Sequence, residues 1–458
     1  MRVMMLSWEY PPRIVGGISP HVKELSQQLQ AQGIEVHVIT KETPLAPDEE
    51  IEPSGVQIHR VHLDEKPNDF IHEIQLLNKA TDLRVRQLLE DWRPGGQPTL
   101  FHAHDWLSLD CARELKYEYS LPMIATVHAT EEGRNNGIHN DMQRYIHEQE
   151  YWLTYEAWRV IVCSQFMREE VNRQFNCPPN KVDVIFNGVD AHKFDFDFPA
   201  ERRAEVRSRI ALPDEKVVMY VGRFVREKGI HLLLNAAGTV LAKEPKAKFV
   251  IVGGGHREKF EKFVHWAGLG DRVHFTGFVS GRNLHELYRC ADVAVFPSLY
   301  EPFGIVALEG MAADVPVVVS DAGGLKEVVL HDETGTTTFA GDPSSLAWGI
   351  LRVLQEPERA NRLKAAAKAR LTTDFDWARI AAQTIDVYDR VWNEFLGSYW
   401  AEGTVWPVSA GAEDRAANRR LGEKAKQGAF AARPRPLAEP ASRPATLDHD
   451  EQTTLTSG

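Results

Sequence analysis

Short apolar runs punctuate the chain, each followed by a loop and then by a stretch whose apolar residues recur at helical spacing. Runs at 2–7, 35–40, 57–61, 99–103, 123–127, 159–163 and 181–186 form one series. A second series follows at 216–221, 248–252, 272–276, 293–296 and 316–320. Most are continuous in Val, Ile, Leu, Met and Phe instead of alternating with polar residues. Strands covered on both faces read this way, so the pattern predicts parallel sheets sandwiched between helices. The intervening stretches, for example 21–32, 69–92 and 230–243, carry apolar stripes of helical period. Such alternation implies right-handed crossovers and a doubly wound α/β fold.

The turn-forming Asn187-Gly188-Val189-Asp190 ends the first series, and a fresh strand opens at Lys216. Two Rossmann-like domains facing each other across a cleft are expected, over 1–192 and 193–375. A helical stretch at 377–396 falls in a C-terminal crossover region, 376–402. Beyond it, 403–458 is rich in Ala, Arg, Pro, Ser and Thr, with few aromatic or β-branched clusters. Too little apolar surface is available there to offset chain entropy, so a disordered tail is expected.

Composition acts mainly by exclusion. The 458 residues include 53 basic and 65 acidic side chains, a formal net charge of −12. That balance lacks the basic footprint of a nucleic-acid binder and disfavours docking on anionic lipid. No apolar run is long enough to span a bilayer, and Met1–Trp8 is too short for a signal peptide. A soluble cytoplasmic protein without integral membrane contact is expected. Cys111, Cys163, Cys177 and Cys290 are scattered, with no C-x-x-C spacing. They predict buried thiols, and neither a disulfide framework nor a thiolate zinc site.

Open α/β sheets bind ligands at the carboxyl ends of their strands, which directs attention to the loops there. The first strand runs into a loop with Gly16-Gly17 before a helix, where backbone amides can approach an anion. The spacing is not G-x-G-x-x-G, so the dinucleotide fingerprint is absent. The fourth and fifth strands end at His104-Asp105-Trp106 and at His128. His128 can donate to a hydroxyl or a phosphate, and Asp105 can accept from hydroxyls. His102 and His104 alternate with the strand, so at least one of them belongs to packing.

In the second half, Arg223 and Lys228 follow the first strand, where two cations near a helix start suit a diphosphate. The run Gly253-Gly254-Gly255 leaves room for a flat ligand or for another backbone. The most informative stretch is Glu301-Pro302-Phe303-Gly304-Ile305, with Glu309 about one and a half turns further on. Pro302 favours a helix start, which turns the Phe303, Gly304 and Ile305 amides toward the cleft. Two carboxylates there have sugar or ribose hydroxyls as natural partners.

Taken together, Gly16-Gly17, His128, Asn187-Gly188-Val189-Asp190, Arg223 with Lys228, and Glu301 with Glu309 resemble the retaining nucleotide-sugar glycosyltransferases of family 4, group 1, of GT-B fold. The resemblance covers about residues 1–396 in the right order. It implies that the Gly16-Gly17 amides approach the donor phosphate and that Arg223 and Lys228 bind the diphosphate leaving group. It further implies that Glu301 and the following amides hold the donor sugar, that Glu309 holds the ribose and that Asn187 belongs to the cleft. Front-face attack without a metal or cofactor follows for the mechanism, with His128 orienting the sugar.

For the acceptor, His104-Asp105-Trp106 resembles the His-Asp-Trp of bacterial and archaeal glycogen synthases, which implies an α-glucan or oligosaccharide and places Asp105 near the reacting sugars. Two departures leave the nucleotide open between ADP-glucose and UDP-glucose. Ile14-Val15-Gly16-Gly17 lacks the Lys of the classical bacterial enzymes, and Glu309 stands where they usually have no second Glu. A lipid or small-metabolite acceptor is the alternative, and a nucleotide-sugar epimerase a more distant one. The aromatics Tyr145, Tyr151, Trp152, Tyr155 and Trp158 offer stacking faces, although Tyr151, Tyr155 and Trp158 fit a core stripe better. The pair Asp195 and Asp197 lies between the two series instead of after a strand, which disfavours a metal-dependent transferase.

Overall fold

The computed structural model describes residues 1–92 and 97–402. The expected disordered tail at 403–458 lies outside the described residues. The first sheet contains β1 (Arg2–Leu6), β2 (Glu35–Lys41), β3 (Glu49–Ile51), β4 (Gln57–Val61), β5 (Thr99–His104), β6 (Met123–Val127), β7 (Arg159–Val162) and β8 (Val182–Val184), in the order β3-β4-β2-β1-β5-β6-β7-β8. The second contains β9 (Lys216–Val221), β10 (Ala247–Val252), β11 (Val273–Gly277), β12 (Val293–Phe296), β13 (Val317–Ser320) and β14 (Thr336–Thr338), in the order β11-β10-β9-β12-β13-β14. Every pairing is parallel except β3 with β4, as the continuous apolar runs predict.

Alternate residues of one strand enter different cores, so each sheet is covered on both faces. In β1, Met4 and Leu6 pack with Phe101, Ala103 and Leu115. Val3 and Met5 face the other way, toward Val22, Leu25 and Leu29 of the helix Ile18–Ala31. In β9, Val217 and Met219 enter one cluster, and Val218 and Tyr220 the other. All four cysteines are buried free thiols.

Two strands escape the sequence pattern. β3 is a three-residue antiparallel edge, Glu-Glu-Ile, bonded to β4 and tied by an Arg60–Glu50 ion pair of 3.0 Å. β14 is Thr336–Thr338, which has the β-branched shape of a strand but no apolar run. The aromatic stripe near residue 155 also differs from expectation. Tyr155 is exposed, because it projects from the outer face of the helix Asp141–Glu156, whereas Leu153 and Thr154 turn inward.

The chain passes to the second sheet after β8 and returns in the helix Trp377–Leu396. Trp377, Ile380, Val387, Tyr388 and Val391 of that helix pack into the core of the first sheet. Tyr388 Oη lies 2.7 Å from His102 Nδ1, and His102 Nε2 lies 2.7 Å from Thr126 Oγ1. His102 is thus the strand-end histidine committed to packing. Phenylalanine at 388 would leave a buried imidazole nitrogen unsatisfied, at a cost of about 1–3 kcal/mol. Tyr388→Phe is expected to lower the urea midpoint of the transition that releases this helix, and an unchanged midpoint would contradict the packing role.

Candidate active site

The first wall of the cleft begins after β1. Glu9 is buried, and its Oε2 accepts from the Gly16 amide at 3.0 Å and from the Val15 amide. Burial raises the Glu9 pKa, although the two amides oppose the shift. The Gly16 N–H is therefore engaged within its own loop. Gly17 begins the helix Ile18–Ala31, and a Cβ added to it would stand 3.7 Å from Ile305 Cδ1 of the opposite domain. The Gly-Gly loop and the Phe303–Ile305 segment thus meet across the cleft.

Asp105 follows β5 with φ 58° and ψ 173°, a strained conformation outside the left-handed helical region that Asp tolerates. Its Oδ1 accepts the backbone N–H of His128 at 2.7 Å, and its Oδ2 stands 4.0 Å from Arg134 Nη2. Burial pushes the Asp105 pKa up to about 6 against the pull of Arg134 and that amide. Asp105 thereby fixes the backbone from which His128 projects.

His128 is half-buried, and its Nε2 lies 3.1 Å from His104 Nδ1. The His21 ring, from the helix Ile18–Ala31, packs edge-on to both, with centroids 4.7 Å from His128 and 5.6 Å from His104. Burial holds all these imidazoles neutral: the pKa of His128 falls to about 3, and those of His21 and His104 fall as well. Asn187 is buried beside His21. Sequence reasoning missed His21, though it stands four residues past Gly17 on the helix that the glycines introduce.

The opposite wall is built from the ends of β9 and β12. Arg223 is exposed, 3.6 Å from Glu227. Lys228 Nζ donates to Glu301 Oε2 at 2.7 Å, and Ser298 Oγ lies 3.3 Å from the same oxygen. Leu299 N donates to Glu227 O at 2.7 Å, which clamps the two loops together. Gly304 adopts φ 114° just before the helix Ile305–Ala312, and a Cβ there would lie 2.5 Å from Leu325 Cδ2. Only glycine fits that turn. Glu309 accepts from Tyr288 Oη at 3.0 Å, and burial raises its pKa to about 7. At the glycine run, a Cβ on Gly253 would collide with Gly222 O, and Gly254 O accepts from Phe224 N at 2.9 Å. The close neighbour of that run is backbone.

The Glu301 loop is also tied to the first domain. Tyr300 Oη donates to Glu170 Oε1 at 2.7 Å and accepts from Thr130 N at 3.3 Å. Thr130 Oγ1 donates to the same Glu170 oxygen at 2.6 Å, and Ser164 Oγ donates to Pro302 O at 2.7 Å. Tyr300, Glu170, Thr130 and Ser164 are all buried. Their partners come from distant segments, so no local spacing marks them. The predicted residues thus gather on two walls: Gly16, Gly17, Asp105, His128 and Asn187 on one, and Arg223, Lys228, Glu301, Phe303, Gly304, Ile305 and Glu309 on the other.

Known proteins share this architecture. Residues 15–193 match the family model described as Glycosyltransferase Family 4, and residues 202–370 match Glycosyl transferases group 1. The chain is 38% identical over 399 residues to an uncharacterised glycosyltransferase of Methanocaldococcus jannaschii, covering 87% of this chain and 100% of the relative. It is 36% identical over 411 residues to the glycogen synthase of Mycobacterium tuberculosis, covering 85% of this chain and 94% of that enzyme. The sucrose-phosphate synthase of Thermosynechococcus elongatus aligns with a TM-score of 0.72 at 28% identity, over 86% of this chain and 99% of that one. With two facing parallel-sheet domains of GT-B type and these relatives, the chain belongs to the family 4, group 1 glycosyltransferases, among glycogen-synthase-like members.

Proposed function

We propose that the protein is a retaining, metal-independent transferase that moves a hexosyl group, glucose in the first instance, from a nucleoside-diphosphate sugar to an α-glucan. The observation that carries this reading is the Lys228–Glu301 pair at the start of the helix Ile305–Ala312, facing Gly17 across the cleft. Glu301 would accept from donor-sugar hydroxyls, and the helix start would face the phosphates. Lys228 and Arg223 would neutralise the charge that develops on the departing diphosphate, a preorganised contribution that grows in the transition state. The leaving phosphate would serve as base for front-face attack by the acceptor hydroxyl. Asp105, committed to the His128 amide, would position His128 against the sugar. Glu309 would hold the ribose.

The 36% identity to the mycobacterial glycogen synthase, over an alignment that covers 85% of the chain, supports the glucan acceptor. The alignment with a sucrose-phosphate synthase supports a second reading, in which the acceptor is a small sugar phosphate. A screen of ADP-, UDP- and GDP-sugars, each alone, with glycogen or maltooligosaccharide, and with a hexose phosphate, separates the two. Lengthening at α-1,4 linkages that survives EDTA is expected. Turnover with small acceptors alone would contradict the glucan assignment, and donor turnover with no acceptor would favour an epimerase. On the active pair, Glu301→Gln is expected to lower kcat/KM by about 10²-fold, the scale of one lost charged contact to the reacting sugar. Wild-type values in that variant would remove Glu301 from the site.

Donor binding should also depend on pH through Glu309. A carboxylate accepts two hydroxyl bonds only when ionised, and with a pKa near about 7 it is protonated at lower pH. Binding must then expel a proton, so donor affinity is expected to fall by up to about tenfold per pH unit below 7 and to level off above it. Donor affinity measured from pH 5.5 to 8.5 checks this, with Glu309→Gln expected to flatten the profile. An identical slope in that variant would assign the titration to another group.

A further inference from the structure

The three histidines His21, His104 and His128 come from separate segments, and each offers a ligand nitrogen within 4.8 Å of the other two. His21 and His104 are buried and His128 is half-buried. The Nε2 of His104 is buried without a hydrogen-bond partner, and neither ring nitrogen of His21 makes one of good geometry, with the Asn187 side chain as its polar neighbour. Each such atom forfeits its hydration without a good bond to replace it. A cluster kept purely for packing would be better served by phenylalanine. The separation of His104 Nδ1 from His128 Nε2, 3.1 Å, already suits two ligands of one ion. Zinc–nitrogen bonds of about 2.0–2.1 Å set tetrahedral ligands roughly 3.3 Å apart, so a pair at the 4.8 Å limit would close by about 1.5 Å.

We propose that His21, His104 and His128 form a zinc-binding site on the floor of the cleft, with three imidazole ligands and a fourth position open to the substrate side. The ligand chemistry selects the ion. Three imidazoles suit zinc and its borderline-soft neighbours, whereas magnesium, manganese and calcium require oxygen ligands. Neutral imidazoles give their lone pairs without first losing a proton. The consequence for activity rests on the reading of His128 as the residue that meets the donor sugar. Zinc occupies that imidazole and therefore inhibits transfer, reversibly with a chelator.

The test titrates the full-length protein, stripped with EDTA and dialysed, with zinc chloride against a chromophoric chelator. One tight zinc ion per chain is expected, weakened at least tenfold by His21→Phe. It should be untouched by His62→Ala, which removes an exposed histidine 2.8 Å from Asp48 and beside Glu42. Absence of stoichiometric binding, insensitivity to His21→Phe, or loss with His62→Ala would overturn the site. Should His21→Phe fail to fold, X-ray absorption on the wild-type zinc complex decides. A first shell with three imidazole nitrogens supports the site, and an oxygen-dominated shell refutes it. Zinc should also suppress transfer, with EDTA restoring it, and full occupancy with undiminished transfer would overturn the inhibitory role. If no donor and acceptor pair turns over at all, the transferase reading fails, while the zinc titration still decides the site.

Discussion

The cleft depends on one buried contact between its walls. Tyr300, next to Glu301 in sequence, places its hydroxyl against Glu170 and Thr130 of the first domain, while Ser164 holds the carbonyl of Pro302. The loop that carries Glu301 is therefore fixed on both sides of Glu301 by the first domain. Glu170 accepts from two hydroxyls at once, and burial raises its pKa. A buried carboxylate is costly unless its hydrogen bonds are made, so the contact favours a single arrangement of the loop. Thr130 stands two residues beyond His128, which links the placement of Glu301 to that of His128 through a few bonds.

The electrostatics of the two walls differ in kind. On the first, burial keeps a group of imidazoles neutral and pushes Glu9 and Asp105 toward their protonated forms. On the second, Lys228 and Arg223 stand near a helix start in a protein whose net charge is −12. Attraction for a diphosphate must then be local. Lys228 is already paired with Glu301, so under the proposed assignment an incoming phosphate would compete for a cation held in place, which would limit the reorganisation needed on binding.

Much of this was legible in the sequence because parallel sheets write continuous apolar runs, and the ends of those runs mark the ligand side. The bounds of β4, β6, β9 and β12, and of the helix Trp377–Leu396, coincide with those expected. The edge strands β3 and β14 were invisible because neither has an apolar run. Motif spacing singled out Glu301, Glu309, His128 and Lys228, since His128 lies just past a strand, Glu301 and Lys228 stand in loops that follow strands, and Glu309 sits on the helix that the Glu301 loop introduces. What supports them was hidden. Glu170, Ser164 and Tyr388 act through partners more than 100 residues away, a relation that no local periodicity encodes. Glu9 and His21 lay inside the expected loop and helix, but their roles emerge only once Gly16 and His128 come close in space.

The most direct test of the bridge between the walls is Tyr300→Phe, which deletes one hydroxyl and keeps the ring. Steady-state kinetics on the active donor and acceptor pair, with affinity for the free nucleoside diphosphate measured alongside, separates sugar positioning from phosphate binding. If the bridge sets the position of Glu301, kcat/KM falls by about tenfold or more while nucleotide affinity holds, as expected for a reacting group displaced by a fraction of an ångström. Unchanged kinetics would contradict the account, and a loss confined to nucleotide affinity would move the role of the bridge to the phosphate end of the cleft.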